Sequence, residues 1–263
     1  MIKTGLVSIT LRDLSIYDVV DAVQTAKLDG IEWSAGEIHV PEGDMSKASE
    51  VRKLCADSGI SIPTYGSYYR VGYNDNNLMP FEKVLDSACE LGAKTIRVWA
   101  GAEGSQDVTQ QQRYAVIADM QKISDMAKKE NISITVEYHE KTLTDSKMST
   151  LGLIDALSDK NVKFSWQPPV DLNEEQCSDI IASIGNRLGN IHVFNWERNT
   201  NGDVLRLPLE LATKQWHRYL SLVTRQIPTE DYYALLEFVI DNDKTHFFKD
   251  AEILKSLVNS INN

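Results

Sequence analysis

Four residues whose types suit metal chemistry stand at or near the ends of short apolar runs: Glu137 in VEYHE, Gln167 in FSWQPP, His192 in IHVFNW and Glu237 in ALLEFV. An unpartnered carboxylate is costly to bury, so polar side chains at four successive strand ends need a compensating partner. A shared divalent cation would be one. Two carboxylates, an imidazole and an amide oxygen form a mixed nitrogen and oxygen set that suits Mn, Zn, Co or Mg. Each residue alone has a plainer reading. Arg97 could pair with Glu137 without a metal, a lone His is commonly a hydrogen-bonded core residue, and Gln167 precedes Pro168 and Pro169 in what could be a turn. The ordered recurrence of the four favours one metal site.

The elements that must position them follow from the apolar pattern. Eight β-rich runs recur: 5–11, 30–34, 60–66, 93–101, 132–139, 162–167, 190–196 and 232–239. Between them lie stretches with helical spacing, such as Ile16, Val19, Val20, Val23 and Ala26, or Ala115, Ile117, Met120, Ile123 and Met126. This alternation implies βα units and a parallel sheet. LDG, DSG, ELG and KEN directly precede the second to fifth runs, and Gly or Asn after a helical pattern is the usual left-handed helix stop. The pattern predicts a single (β/α)8 barrel domain over residues 1–263. A doubly wound open sheet is the alternative. It usually carries a Gly-rich phosphate loop after its first strand, where this chain has RDLSIYD.

In such a barrel the C-terminal strand ends surround one point. They offer Glu32 and Trp33, with His39 shortly after; Tyr65; Arg97 and Trp99; Glu137 and His139; Trp166 and Gln167; His192, Asn195 and Trp196, with Arg198 beyond; and Glu237. Glu137 and His139 share a face by strand parity, as do Arg97 and Trp99. Four of the five tryptophans sit at these ends, which suits a substrate with apolar C–H faces and hydroxyl edges, although packing at the barrel rim would also place them there. The irregular segment 67–79 reads as a loop over the site.

Composition excludes other classes. The net charge of −11 argues against a nucleic-acid partner, which calls for clustered Lys and Arg. Cys55, Cys89 and Cys177 are far apart and form no CxxC pair, so neither a zinc knuckle nor a disulfide framework is expected. No run is apolar enough for a signal peptide or membrane span, and a cytoplasmic protein is expected.

GIEWS followed by His39, then RVWAGAEGS, VEYHEKTLTDS and the ST pair at 149–150, resemble the xylose isomerase-like barrel superfamily of sugar phosphate isomerases and epimerases. The most specific stretch looks like that of 3-dehydroshikimate dehydratases. The resemblance covers essentially the whole chain. It implies one divalent metal held by Glu137, Gln167, His192 and Glu237, and a substrate-binding Arg198 six residues past the metal His, as in ketose 3-epimerases. It also implies that dimers or tetramers are common, although no interface is visible in the sequence. Three positions depart from the family pattern. Gln167 replaces an Asp, Val170 stands where a His often follows, and Phe194 replaces a Lys found in the dehydratases.

The expected activity is isomerisation or epimerisation of a sugar or polyol-derived carbonyl compound. Glu137 and Glu237 would exchange protons with carbon, His139 would bond the developing oxyanion, and Glu32, Trp33, His39, Arg97, Trp99, Trp166, Trp196 and Arg198 would contact substrate. A dehydratase on the same chemistry is the runner-up. A non-catalytic sugar-binding barrel that has lost its metal is the third reading.

Overall fold

The computed structural model describes residues 1–73, 79–228 and 231–262. Part of the segment expected to cover the site, residues 74–78, lies outside them. The strands are β1 (Ile2–Val7), β2 (Gly30–Ser34), β3 (Ser61–Arg70), β4 (Thr95–Trp99), β5 (Ser133–Glu137), β6 (Val162–Trp166), β7 (Leu188–Val193), β8 (Asn195–Arg198), β9 (Val204–Leu207) and β10 (Tyr232–Leu236). All but β8 and β9 close into one parallel barrel in the order β1-β10-β7-β6-β5-β4-β3-β2. The helices are α1 (Ile16–Ala26), α2 (Met45–Asp57), α3 (Phe81–Leu91), α4 (Gln110–Lys129), α5 (Lys147–Ala156), α6 (Glu174–Ile184), α7 (Thr213–Gln226) and α8 (Lys244–Asn262). The protein is therefore a (β/α)8 barrel, and the open-sheet alternative falls.

The helix stops follow the left-handed logic with one change. Gly59, Gly92 and Asn131 have φ of 70°, 76° and 57°, as the DSG, ELG and KEN junctions require. At the first junction the left-handed residue is Lys27, just before LDG, with φ 56°, and Gly30 belongs to β2. Gly30 has a packing reason instead: a Cβ there would lie 2.8 Å from the Tyr233 ring. Capping boxes fix the starts of α4, through Thr109 and Gln112, and of α6, through Asn173 and Gln176.

Two runs end differently from expectation. The first strand occupies residues 2–7, and Ser8–Leu11 form a 3-10 turn. The Ser8 hydroxyl accepts a 2.8 Å bond from the Ser34 N–H, which ties the top of β1 to β2. The seventh run splits after Val193. Asn195–Arg198 leaves the barrel and pairs antiparallel with Val204–Leu207, forming a hairpin at the C-terminal mouth.

The apolar core lies inside the barrel and between barrel and helices. Strand alternation sends Trp166 outward, where its ring packs edge-on against Tyr219 at 5.1 Å and Trp216 at 6.3 Å on α7. Such pairs contribute about 0.5–1.5 kcal/mol each beyond area burial. No helix among the described residues is long and apolar enough to cross a membrane.

Candidate functional site

Glu137 ends β5, His192 is the fifth residue of β7, and Glu237 directly follows β10. Barrel closure converges them. One potential ligand atom from each lies within 4.8 Å of the other two, and all three residues are buried. The His192 ring is oriented by charge on both edges. Its Nδ1 is 3.2 Å from Glu237 Oε2 and 3.5 Å from Glu137 Oε1, while Nε2 is 3.3 Å from Glu32 Oε2. Burial alone would lower the His192 pKa. The carboxylates of Glu237 and Glu32 outweigh it and hold the pKa well above the usual value.

Gln167 follows β6 and joins the same group. Its amide nitrogen donates to Glu137 Oε1 at 3.2 Å and to the Tyr138 carbonyl at 3.1 Å. That leaves Gln167 Oε1, Glu237 Oε2 and His192 Nδ1 buried with no hydrogen bond. Buried polar atoms are rarely orphaned, and an ion is one of the standard explanations. All three can offer a lone pair, the imidazole once deprotonated, and the donor set is chemically suited to a divalent cation. The buried Glu137, His192 and Glu237 cluster could thus hold a metal ion.

Glu137 is clamped on its other oxygen. Arg97 Nη1 donates to Oε2 at 2.9 Å, and the Trp99 indole N–H donates to the same atom. Burial would raise the Glu137 pKa, but Arg97 and then His192 prevail and hold the carboxyl far below the usual range. Arg97 also faces Glu32, with Nε 3.5 Å from Oε1. Gly66 makes room for this pair: a Cβ there would lie 3.0 Å from both Arg97 Nη2 and Glu32 Oε1. Glu237 is different, because among the described residues its carboxylate pairs only with His192.

Above these groups opens a cavity of about 430 Å³. Arg97, Trp99, Glu137, His139, Gln167, Trp196 and Glu237 all line it. Trp99 and His139 face each other with ring centres 5.5 Å apart. The Trp196 ring lies nearly parallel to Phe238 and donates to the Pro168 carbonyl at 3.1 Å.

Other expected substrate contacts lie elsewhere. Trp33 alternates away from Glu32 and is fully buried, its ring edge-on to His39 with centres 5.6 Å apart. His39 is locked between the Ser8 hydroxyl at 2.9 Å and the Leu14 carbonyl at 3.2 Å. Trp166 faces α7. Glu32 is only 1% exposed and sits beneath the cavity, behind His192 and Arg97. Arg198 is exposed, with Nε and Nη2 bonded to both oxygens of Asp171 at 2.7 and 2.9 Å.

The sequence reading missed Tyr68, Tyr138 and Phe238 among the cavity-lining residues. Tyr68 falls in the segment expected to cover the site, but a tyrosine there carries no signal of its own. Phe238 has φ 56°, a left-handed conformation rare for a bulky side chain and common near functional sites. No local pattern announces it.

A family model described as xylose isomerase-like TIM barrel matches residues 20–238. A 3-dehydroshikimate dehydratase of Bacillus anthracis is 24% identical in an alignment 233 residues long that covers 73% of this chain and 82% of that protein. The crystal structure of a probable 3-DHS dehydratase from Bacillus anthracis superposes with a TM-score of 0.74 at 20% identity, covering 96% of this chain and 98% of that one. A D-allulose 3-epimerase from Methylomonas sp. superposes with a TM-score of 0.72 at 14% identity, covering 97% and 98%.

Proposed function

Because this chain belongs to the xylose isomerase-like TIM barrel family, we propose that it is a metal-dependent enzyme that moves a proton next to the carbonyl of a sugar or polyol-derived substrate, as an isomerase or epimerase. The single observation that carries this reading is the buried triangle of Glu137, His192 and Glu237, with its unpartnered lone-pair atoms facing one another.

Glu137, Gln167, His192 and Glu237 would hold one divalent ion. When bound, such an ion supplies positive charge that polarises a neighbouring carbonyl and makes the adjacent C–H more acidic. The two glutamates are not equivalent. Arg97 and Trp99 occupy Glu137 and keep it ionised, so it is a poor proton acceptor. Glu237 has no arginine partner among the described residues and opens directly on the cavity, so it is the proton acceptor in this account. A positioned base of this kind contributes about 10²–10⁴-fold to rate. Return of the proton by Glu237 to the neighbouring carbon gives isomerisation. Delivery of a solvent proton to the opposite face of the same carbon, with Glu237 then releasing its own proton to water, gives epimerisation. His139 stands on the same wall; its Nδ1 hydrogen is held by the Glu140 carbonyl at 2.7 Å, which leaves Nε2 to accept from a substrate hydroxyl. Trp99 and Trp196 offer aromatic faces to the C–H surface of a sugar ring or chain.

A dehydratase is the second reading, and the Bacillus anthracis relative favours it. It begins with the same proton abstraction and then expels a β-hydroxyl. Phe194, buried against Trp196 and Phe238, stands where the dehydratases resembled by this chain have a Lys, which weakens this reading.

Mn²⁺-loaded protein incubated in D₂O with D-fructose, D-xylulose and 3-dehydroshikimate separates the two. Solvent deuterium at the carbon next to the carbonyl, lost in Glu237→Gln, is the expected result. A conjugated product seen by ultraviolet absorbance would favour the dehydratase. Exchange that persists in Glu237→Gln would remove the assigned base.

A further inference from the structure

We propose that Arg12 and Arg206, each near a residue that lines the cavity, form a subsite for an oxyanion carried by the substrate, a carboxylate or a phosphate group. The identity of the occupant rests on the carbonyl-substrate reading above; the anion site itself does not.

Several arginines stand near the mouth. Arg70 lies over the Trp99 ring at 4.4 Å and donates to the Gly101 carbonyl at 3.4 Å. Arg97 is neutralised by Glu137 and Glu32, and Arg198 by Asp171. Arg12 and Arg206 form no ion pair among the described residues. Arg12 makes no hydrogen bond there either, and its Nε is buried without a partner. Arg206 uses only Nη1, on the uncharged Asn242 side chain at 2.6 Å and the Val239 carbonyl at 3.3 Å. Both side chains are half-buried. An unpaired guanidinium removed from water is costly, and two beside each other are costlier.

Their placement ties them to the cavity. Arg12 directly follows the 3-10 turn Ser8–Leu11, whose Ile9 lines the cavity. Arg206 lies on β9, the outer strand of the hairpin, with its guanidinium 4.9 Å from the centre of the Phe238 ring. Phe238 also lines the cavity, next to Glu237. The two cations act on one another: burial lowers the Arg206 pKa and Arg12 lowers it further, and Glu237 and Asp241 offset this only in part. A divalent ion and Arg97 would balance Glu32, Glu137 and Glu237. Asp241 offsets part of the Arg206 charge without pairing with it, so positive charge is left over, and an anionic substrate group is the complement it lacks. Guanidinium donors match carboxylate and phosphate oxygens in geometry as well as charge.

The test uses inorganic phosphate and acetate as separate probes, followed by ³¹P and ¹³C line broadening. Each is titrated into wild type, Arg12→Gln, Arg206→Gln and a surface control, Arg218→Gln. The series is run with Mn²⁺ and again after EDTA treatment and dialysis, so that a bound cation cannot itself hold the anion. Saturable binding in the EDTA-treated wild type and control, weakened about tenfold or more in Arg12→Gln and Arg206→Gln, is expected. A response to acetate alone assigns a substrate carboxylate, to phosphate alone a phosphate, and to both a general oxyanion site. If neither anion saturates, or both variants bind like wild type, the proposal is overturned. Mn²⁺ titration of the same proteins reports separately on the metal site, so failure there leaves the anion result standing.

Discussion

Glu32 Oε2 lies 3.3 Å from His192 Nε2, and the opposite ring nitrogen faces Glu137 and Glu237. This is the arrangement in which a carboxylate fixes a metal-ligating imidazole: it holds the proton on one nitrogen and points the other's lone pair at the ion. Glu32 would therefore act on a bound ion through His192, from beneath the cavity.

Replacing Glu32 with Gln keeps the shape and removes the charge. Mn²⁺ affinity should fall by about 10–100-fold, the usual effect of losing such a partner. Calorimetric titration measures it. An unchanged affinity, with an intact circular dichroism spectrum, would show that His192 needs no such support.

Gly66→Ala probes the same arrangement without touching a charge. The added methyl would press on Arg97 and Glu32 at 3.0 Å, and neither can retreat far inside the barrel. Overpacking of this kind costs about 1–3 kcal/mol, read from urea unfolding. We expect weakened Mn²⁺ binding alongside. A variant as stable as wild type would show that the pair moves freely.

Gln167→Glu should separate the empty and loaded states. Without metal, the bond from the Gln167 amide to Glu137 Oε1 becomes a contact between like charges, and stability falls by about 1–3 kcal/mol. With metal, the added charge binds it and Mn²⁺ affinity rises. Thermal unfolding with and without Mn²⁺ reads both. Movement of both quantities in the same direction would contradict a ligand role for Gln167.

Metal affinity should depend on pH through His192. Burial lowers its pKa, but Glu237 and Glu32 outweigh that and leave it raised, so the metal-free protein holds a proton that the ion must displace. Apparent Mn²⁺ affinity should therefore rise from about pH 6 to about pH 8. Binding enthalpies should vary with the ionisation heat of the buffer. A flat profile would mean that no proton leaves.

The barrel was legible because period and punctuation agreed: apolar runs at strand length, helical spacing between them, and left-handed stops at Gly59, Gly92 and Asn131. Convergence of Glu137, Gln167, His192 and Glu237 followed from barrel topology alone. Trp33 and Trp166 show where that reasoning was too loose. Each is adjacent on its strand to a polar residue that points inward, Glu32 and Gln167, and neighbours on a strand cannot share a face. Applied strictly, parity would have sent both tryptophans to the helices. Residues 190–196 read as one strand because the apolar run crosses Val193 without a Gly or Pro, which hid the start of β8, and β9 gave no strand signal. Arg12 and Arg206 carried no signal, since their importance lies in partners they lack, and that is visible only once the neighbours are placed.

The most direct test is metal stoichiometry. EDTA-treated protein is titrated with Mn²⁺ and followed by the electron paramagnetic resonance of the free ion, in wild type, Glu137→Gln, His192→Ala and Glu237→Gln. One ion bound per chain, with affinity lost by more than about tenfold in each variant, is the predicted result. Wild type that binds no Mn²⁺, Zn²⁺ or Co²⁺, or variants that bind as tightly as wild type, would contradict a metal held by these strand ends.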